Sequence, residues 1–267
     1  MRLAAPLEPS PTAALVRANP LAKLLAALVL LVALFVSLDA LTAVVILAGL
    51  ALVMPFSGLS IGVLWSRTWL LAAAAAIVGV VNVVFAGEQL GRTVASVGPV
   101  DIGAETLANG VGLALRLLAI GLGGILATAT SQPTEIADAL VQHLRVSPRF
   151  AIGTLAALRL VPLLSAEWQV IGLARRARGV DAGRSPVAVV HLWGGKVAGL
   201  LVRAVRRASR LALAMEARGF GVRPCRTSAR ASRFHASDWA WVGAAAVLAA
   251  AAVGLSVALG TWRPLLG

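Results

Sequence analysis

Long apolar stretches separated by short polar ones dominate the pattern along this chain. A helix needs roughly 20 mostly apolar residues to cross the hydrocarbon of a membrane, and five stretches approach that length. Four lie in the first half of the chain and one lies near its end. The predicted spans cover residues 21–38, 41–56, 69–85, 107–130 and 239–259. The pattern therefore predicts an all-α membrane protein with about five transmembrane helices.

The stretch between the fourth and fifth spans has a different pattern. Its apolar positions recur at helical spacing, and basic residues occupy another face. The pattern predicts long amphipathic helices, one over 133–144, one over 148–178 and one from about residue 185 to 218. Pro162 is expected to kink or restart the second of them, because proline removes a backbone donor.

These patterns divide the chain into three parts. Residues 1–130 hold the N-terminal transmembrane helices with four spans, 131–237 hold the amphipathic helices, and 238–267 hold the C-terminal transmembrane helix. Residues 150–170 are apolar enough for a sixth span. We do not expect one there, because it would place parts of one basic block on opposite sides of the membrane.

Composition agrees with a membrane protein. Hydrophobic residues make up 59% of the chain and charged residues only 13%, about half the share in soluble domains. The single cysteine, Cys225, forms no internal disulfide and builds no thiolate metal site. The first apolar run continues beyond the length of a signal peptide, so we expect it to be retained as a helix.

The distribution of charge indicates which side of the membrane each loop faces. Between Arg145 and Arg233 there are 17 Lys and Arg against 3 Asp and Glu, whereas the rest of the chain has a net charge of −1. Because basic loops stay inside, we expect the N-terminus and residues 131–237 to be cytoplasmic. The turn near Asp39, the acidic loop 87–105 and the C-terminus are expected outside. The protein is thus predicted to be a multi-pass protein of the inner (plasma) membrane.

Some residues in the fourth span suggest helix packing. Arg116 lies near its middle, and an arginine at that depth usually faces protein. Gly121 and Gly124 are expected to let another helix approach closely.

The basic segment contains the same three residues at two predicted helix ends, Ala177-Arg178-Gly179 and Ala217-Arg218-Gly219. A helix C-terminus carries partial negative charge that favours a cation, and glycine permits the left-handed residue that ends the helix. Alanine keeps each end narrow. Each end is therefore predicted to present one guanidinium, which can bind a carboxylate through two hydrogen bonds.

With these paired ends, the sequence resembles the T component of energy-coupling factor (ECF-type ABC) transporters, the EcfT/CbiQ family. In that family, two Ala-Arg-Gly motifs end the coupling helices. Three further elements occur in the family's order, and the resemblance covers roughly residues 19 to 260. They are Asn19-Pro20-Leu21-Ala22-Lys23, Ser131-Gln132-Pro133-Thr134-Glu135 followed by Ala139-Leu140, and Arg159-Leu160-Val161-Pro162 with Glu167.

The resemblance implies a non-catalytic subunit of an ATP-driven importer. Arg178 and Arg218 would dock into two ABC ATPase subunits, and Arg159, Pro162 and Glu167 would support the coupling region. A separate substrate-binding membrane protein, the S component, would select a vitamin or a transition-metal ion. No cofactor, resident metal or nucleic acid is implied. The arginine-rich segment 223–233 has no counterpart in the family pattern that we can assign.

Residues outside the motifs agree with a subunit that binds no ATP itself. Gly194-Gly195-Lys196 superficially resembles a phosphate-binding loop. Val190 stands where that motif needs its first glycine, and Val197 where it needs serine or threonine.

Three other classes of protein match the sequence less well. A conventional ABC importer permease would form its own pathway and carry a Glu-Ala-Ala…Gly coupling motif, which Ala166-Glu167-Trp168 matches poorly. A membrane enzyme would need clustered catalytic groups, whereas His143, His191 and His235 are scattered. A polyanion-binding protein could use the arginines of 203–233. Anionic lipid is plausible there as a secondary partner, but no interleaved aromatics favour nucleic acid.

Overall fold

A computed structural model describes residues 13–86, 92–97, 100–180, 186–220 and 231–262. Nine helices and one antiparallel hairpin lie within these ranges. The helices are α1 Ala14–Arg17, α2 Pro20–Val36, α3 Ala40–Val53, α4 Ile61–Val84, α5 Ala104–Ala129, α6 Pro133–His143, α7 Pro148–Ala177, α8 Pro186–Ala217 and α9 Ala236–Ala258. A 3₁₀ turn, Met54–Ser57, follows α3, and the hairpin pairs β1 Thr93–Val97 with β2 Val100–Gly103.

The predicted fold class is confirmed, since the described chain is helical apart from the hairpin. Each predicted span has a helix, although α4 begins at Ile61, eight residues before the predicted start at Trp69. The reason is that Ser66, Arg67 and Thr68 break the apolar pattern without breaking the backbone hydrogen bonds of a helix. The hairpin lies within the predicted acidic loop 87–105. Residues 87–91 and 98–99 of that loop are outside the described ranges.

The chain folds into two compact units. The first comprises residues 1–139 and 232–267, and the second comprises 140–231. In the first unit, α2, α3, α5 and α9 pack around one apolar core. Its buried residues are Leu30, Ala33, Leu34, Ala43, Ile46, Leu50, Ala119, Leu122, Leu126, Ala245, Ala249 and Ala252.

α4 packs against α5 through glycine. A Cβ added at Gly110 would lie 2.8 Å from the carbonyl oxygen of Gly79, so these backbones are in direct contact. Gly121 also allows a close approach, because a Cβ there would overlap the side chain of Leu71. At Gly124 no helix of the described chain approaches closely, since no described atom lies within 4 Å of its Cβ position. Residue type alone does not indicate which side of a helix faces a neighbour.

The tight turn between α2 and α3 is held by polar groups. Asp39 caps α3 by accepting from the Thr42 backbone N–H at 2.8 Å, and it also accepts from the Ser37 hydroxyl. Burial opposes ionisation of Asp39, but the hydrogen bonds from Ser37 and Thr42 outweigh it and hold its pKa below the usual value. Arg116 donates to the Ser37 carbonyl oxygen, so this arginine faces protein as predicted.

The second unit contains α7 and α8. α7 is one continuous helix with Pro162 inside it, so the helix does not restart at the proline. Within the described ranges, six helices are long and apolar enough to cross a membrane, judged by length and composition. They are α3 extended to Ser57, α4, α5, α7, α8 and α9. α2 is shorter at 17 residues.

Candidate coupling site

The first predicted motif ends α7 in a defined hydrogen-bonded turn. Arg178 is the C-cap residue, and Gly179 follows with a positive φ of 71°. The Gly179 N–H donates to the Arg176 carbonyl at 2.9 Å, and the Val180 N–H donates to the Arg175 carbonyl at 3.0 Å. This pair of bonds is the Schellman arrangement, which satisfies the last helical carbonyls and stops the helix.

The second motif forms the same turn at the end of α8. Gly219 has a φ of 73° and donates to the Glu216 carbonyl at 2.8 Å. The Phe220 N–H donates to the Met215 carbonyl at 2.9 Å. The predicted helix ends are therefore observed at both places, with glycine at the left-handed position in each.

Both motif arginines are exposed. Arg178 and Arg218 lie at the two helix ends, together with exposed Ala177 and Ala217. Each guanidinium is carried by the residue nearest the negative end of its helix dipole. Such an arginine is available to a carboxylate on another protein, and its planar group can make two parallel hydrogen bonds to it.

The end of α7 and the end of α8 are separated by most of the length of α8. In the second unit, Arg175 Nη1 donates to the Leu192 carbonyl at 2.7 Å, so the end of α7 contacts the N-terminal part of α8. From Leu192 to Arg218, α8 extends about 40 Å at the standard rise of a helix. The arrangement thus offers two separate contact points.

A salt bridge also joins α7 to α8. Arg207 Nη2 donates to Glu167 Oε1 at 2.7 Å. The second carboxylate oxygen of Glu167 and the Arg207 Nη1 are buried and have no hydrogen-bond partner among the described residues. Glu167, which the family resemblance had marked as a supporting residue, therefore links the two helices that carry the motifs.

Aromatic contacts reinforce this crossing. The Trp168 and Trp193 rings meet edge to face with centroids 4.9 Å apart, and the Lys196 ammonium lies 5.0 Å from the Trp168 centroid. Lys196 and the two preceding glycines lie inside α8, so this Gly-Gly-Lys sequence is helical.

The other two residues that the resemblance marked as supporting do not take part in the contact between α7 and α8. Arg159 and Pro162 are exposed on α7, and their role stays a prediction. Of the arginine-rich segment 223–233, residues 223–230 are outside the described ranges.

Sequence reasoning missed Arg175, Trp168, Trp193, Lys196 and Arg207 as contact residues. Their one shared sequence signal is a charged or aromatic residue within a long predicted helix. That signal does not indicate which residue of the other helix is the partner.

Among the described residues, no group of three or more His, Cys, Asp or Glu could hold a metal ion.

Comparison with known proteins decides the family. The CbiQ family profile, described as cobalt transport protein, matches residues 12–228, which include both Ala-Arg-Gly ends. The chain belongs to this family. The resemblance inferred from the motifs is confirmed, and this CbiQ-family chain is a multi-pass membrane protein.

Curated relatives carry the name energy-coupling factor transporter transmembrane protein EcfT. The protein of Lacticaseibacillus paracasei is 38% identical over 155 residues, covering 53% of this chain and 57% of the relative. That of Thermosediminibacter oceani is 32% identical over 171 residues, covering 61% and 64%. That of Bacillus subtilis is 34% identical over 156 residues, covering 54% and 57%. The chain thus matches these CbiQ-family relatives over less than two thirds of their length.

Proposed function

We propose that the chain is the transmembrane coupling subunit of an ECF-type ABC importer. It would pass the ATP-driven motion of two ATPase subunits to a substrate-binding membrane subunit. The observation that carries this proposal is the pair of identical helix ends, each with one exposed arginine beside a left-handed glycine. Family membership and the names of the relatives support it.

The motif arginines act as links and not as catalysts. Arg178 and Arg218 each enter a groove of one ATPase and bind a carboxylate there, since a guanidinium matches a carboxylate in geometry and charge. The separation of about 40 Å along α8 favours two ATPases over one. When the ATPases close on ATP, both helix ends are displaced.

The contacts between α7 and α8 make the two helices respond together. The Glu167–Arg207 salt bridge and the Arg175–Leu192 hydrogen bond join them at two levels. Packing of Trp168 on Trp193 adds an apolar contact between these levels. A force on one motif therefore reaches both helices.

The apolar surfaces of α7 and α8 support a membrane-embedded substrate subunit as the further partner. Large apolar side chains are exposed along both helices, more than a single soluble surface usually carries. They are Phe150, Leu158, Val161, Leu163, Val170 and Leu173 on α7, and Val187, Val189, Val190, Trp193, Val197, Leu201, Val202, Val205, Leu211 and Leu213 on α8. The substrate subunit selects the cargo, a vitamin or a transition-metal ion, and covers part of this surface. Lipid at the cytoplasmic face of the membrane covers the rest.

The test exchanges the charge of both motif arginines. We expect Arg178→Glu with Arg218→Glu to abolish copurification of the ATPases, because each helix end would repel the carboxylate that it normally binds. Membrane insertion should be unchanged. The matched control is Arg203→Glu with Arg210→Glu, which changes the net charge equally at exposed positions of α8 away from either end.

Copurification is measured by affinity isolation from detergent-solubilised membranes. Loss of the ATPases in the motif variant and their retention in the control supports the proposal. Undiminished copurification with the motif variant would falsify it, and so would equal loss with the control.

A further inference from the structure

The start of α2 contacts the chain at the end of α5, eight residues before it leaves the first unit, and again just before α9, where it has returned to that unit. The chain leaves the first unit after Ala139 and returns to it at Ser232. Side chains from Asn19 and Lys23, one helical turn apart, reach the stretch before the exit and the stretch after the return. Because all these contacts lie within the first unit, they are independent of how the second unit is placed.

Lys23 binds the chain between the end of α5 and the start of α6, before the chain leaves the first unit. Its side chain is buried, with 3% of its surface exposed. The ammonium donates to the Thr130 carbonyl at 2.8 Å and to the Ser131 hydroxyl at 3.2 Å. A third, longer contact of 3.5 Å reaches the Val16 carbonyl. The three donors of the ammonium are thus directed at three acceptors.

Asn19 binds the chain just before α9, where it has returned to the first unit. Its amide Nδ2 donates to the Ser232 hydroxyl at 3.0 Å and to the Arg233 carbonyl at 3.1 Å. Its amide oxygen accepts from the Leu21 N–H at 2.9 Å and so caps α2. The one side chain therefore begins the first span and binds the chain just before α9.

Asp238 completes the contact with α9. Its carboxylate is buried and accepts from the Asn19 backbone N–H at 2.8 Å. The other carboxylate oxygen accepts from the His235 N–H at 2.7 Å, at the start of α9. The first turns of α2 and α9 are therefore bonded to each other.

These bonds hold their geometry firmly. Buried polar groups without partners are costly in a low-dielectric interior, so a buried ammonium and a buried carboxylate resist separation from the atoms that satisfy them. Residues 131 and 232 are 101 positions apart in the chain, yet both are bonded to side chains one helical turn apart on α2. No local sequence signal would require that.

We propose that Asn19 and Lys23 are positioning residues that clamp both ends of the coupling segment to the first span. This inference rests on the proposed coupling function, since it assigns the point at which motion of residues 140–231 reaches the membrane helices. With the clamp in place, a displacement of the coupling segment moves α2, α5 and α9 together. Without it, the two connections absorb the displacement.

The test measures the rigidity of the clamp directly. Spin labels are placed on exposed Leu28→Cys in α2 and on exposed Gln132→Cys beside the exit, or on exposed Ser237→Cys beside the return. Cys225→Ser removes the natural thiol. The full chain is measured in lipid nanodiscs, alone and with its ATPases, before and after addition of MgATP.

Lys23→Met removes the ammonium at nearly constant side-chain length. Asn19→Ser keeps a hydroxyl that can cap α2 but is too short to bind both Ser232 and Arg233. Thr128→Val is the matched control, because the Thr128 hydroxyl bonds to carbonyls of its own helix near the same end of α5. The label distances should be narrow and unaffected by MgATP in the unmodified chain and in the control.

We expect Lys23→Met to widen the distance distribution of the Leu28–Gln132 pair roughly twofold. Asn19→Ser should widen the distribution of the Leu28–Ser237 pair by the same factor. MgATP should widen both distributions further. Copurification of the ATPases should persist, since both motifs are intact.

Unchanged distributions in both variants would overturn the clamp. A variant that is only less stable would show a lower unfolding temperature with unchanged width, which also overturns it. Failure of the coupling function itself would appear separately, as ATPase binding that survives Arg178→Glu with Arg218→Glu.

Discussion

At the scale of single residues, the two motif glycines determine where each arginine points. Gly179 and Gly219 have φ values of 71° and 73°, which an L side chain adopts only with strain. The left-handed residue turns the chain away from the helix axis, so the preceding arginine becomes the last residue of the helix end. The arginine supplies the charge and the glycine supplies its position.

Gly179→Ala and Gly219→Ala should therefore each destabilise its helix end by about 1–2 kcal/mol. Both variants keep the arginines, yet we expect ATPase copurification to fall when they are combined. The matched control is Gly194→Ala inside α8, where no described atom lies within 4 Å of the added Cβ. There the same change should stabilise the helix by about 0.5–1 kcal/mol.

Thermal unfolding in detergent and affinity isolation measure these two effects. If both motif variants unfold like the control and bind the ATPases fully, the left-handed turn has no role in docking.

At the scale of helices, the salt bridge between α7 and α8 is the contact most open to measurement. The side chain of Arg207 is 40% exposed and that of Glu167 is 19% exposed. Because solvent screens the pair, the salt bridge contributes little to the free energy of unfolding. The bridge serves to hold one register of α8 against α7 more than to stabilise the fold.

A double-mutant cycle with Glu167→Gln and Arg207→Met should give a coupling energy of about 0.5–1 kcal/mol. The favourable sign follows from the 2.7 Å contact between opposite charges. Unfolding of the two single variants and the double variant is compared in one detergent. Arg206→Met with Glu167→Gln is the matched control and should show no coupling, because Arg206 is exposed at the position just before Arg207 in α8. A coupling energy near zero for the Arg207 pair would show that the bridge does not join the helices in solution.

At the scale of the whole molecule, the distribution of charge predicts orientation in the membrane. The excess of basic residues between Arg145 and Arg233 should keep that segment cytoplasmic, while the loop 87–105 faces outward. The helices of the first unit agree with alternating spans, since the bonds from Asn19 and Lys23 bring the start of α2, the end of α5 and the start of α9 to one end.

Single-cysteine variants in a Cys225→Ser background check this orientation. In intact cells, a membrane-impermeant maleimide should label Arg92→Cys, which lies in the predicted outer loop. Ser60→Cys and Arg203→Cys should react only after the membrane is permeabilised. All three positions are exposed, so access differs only by the side of the membrane. Labelling of Arg203→Cys in intact cells would place the second unit outside and contradict the proposed coupling role.

Sequence patterns predicted the elements well and the pairing between them poorly. The five spans, the two helix ends and the inward direction of Arg116 follow from local rules of length, capping and desolvation. The start of α4 was predicted wrongly, because polar residues inside a helix interrupt a local apolar pattern. No helix of the described chain approaches Gly124 closely, because a local pattern does not identify packing partners. The Glu167–Arg207 pair was missed for the same reason, as its residues are 40 positions apart.

The sequence by itself determined that the chain is a helical membrane protein with a basic segment and two arginine-bearing helix ends. Those features depend on side-chain hydrophobicity, charge and backbone preference within one or two turns of helix. Only the tertiary structure decided that Gly110, and not Gly124, makes a close backbone contact, and that Glu167 joins α7 to α8. It also decided that Lys23 binds the chain at the end of α5 and that Asn19 binds it just before α9. Each of these depends on which residues, distant in the sequence, come into contact when the helices pack. A local sequence pattern does not indicate such contacts.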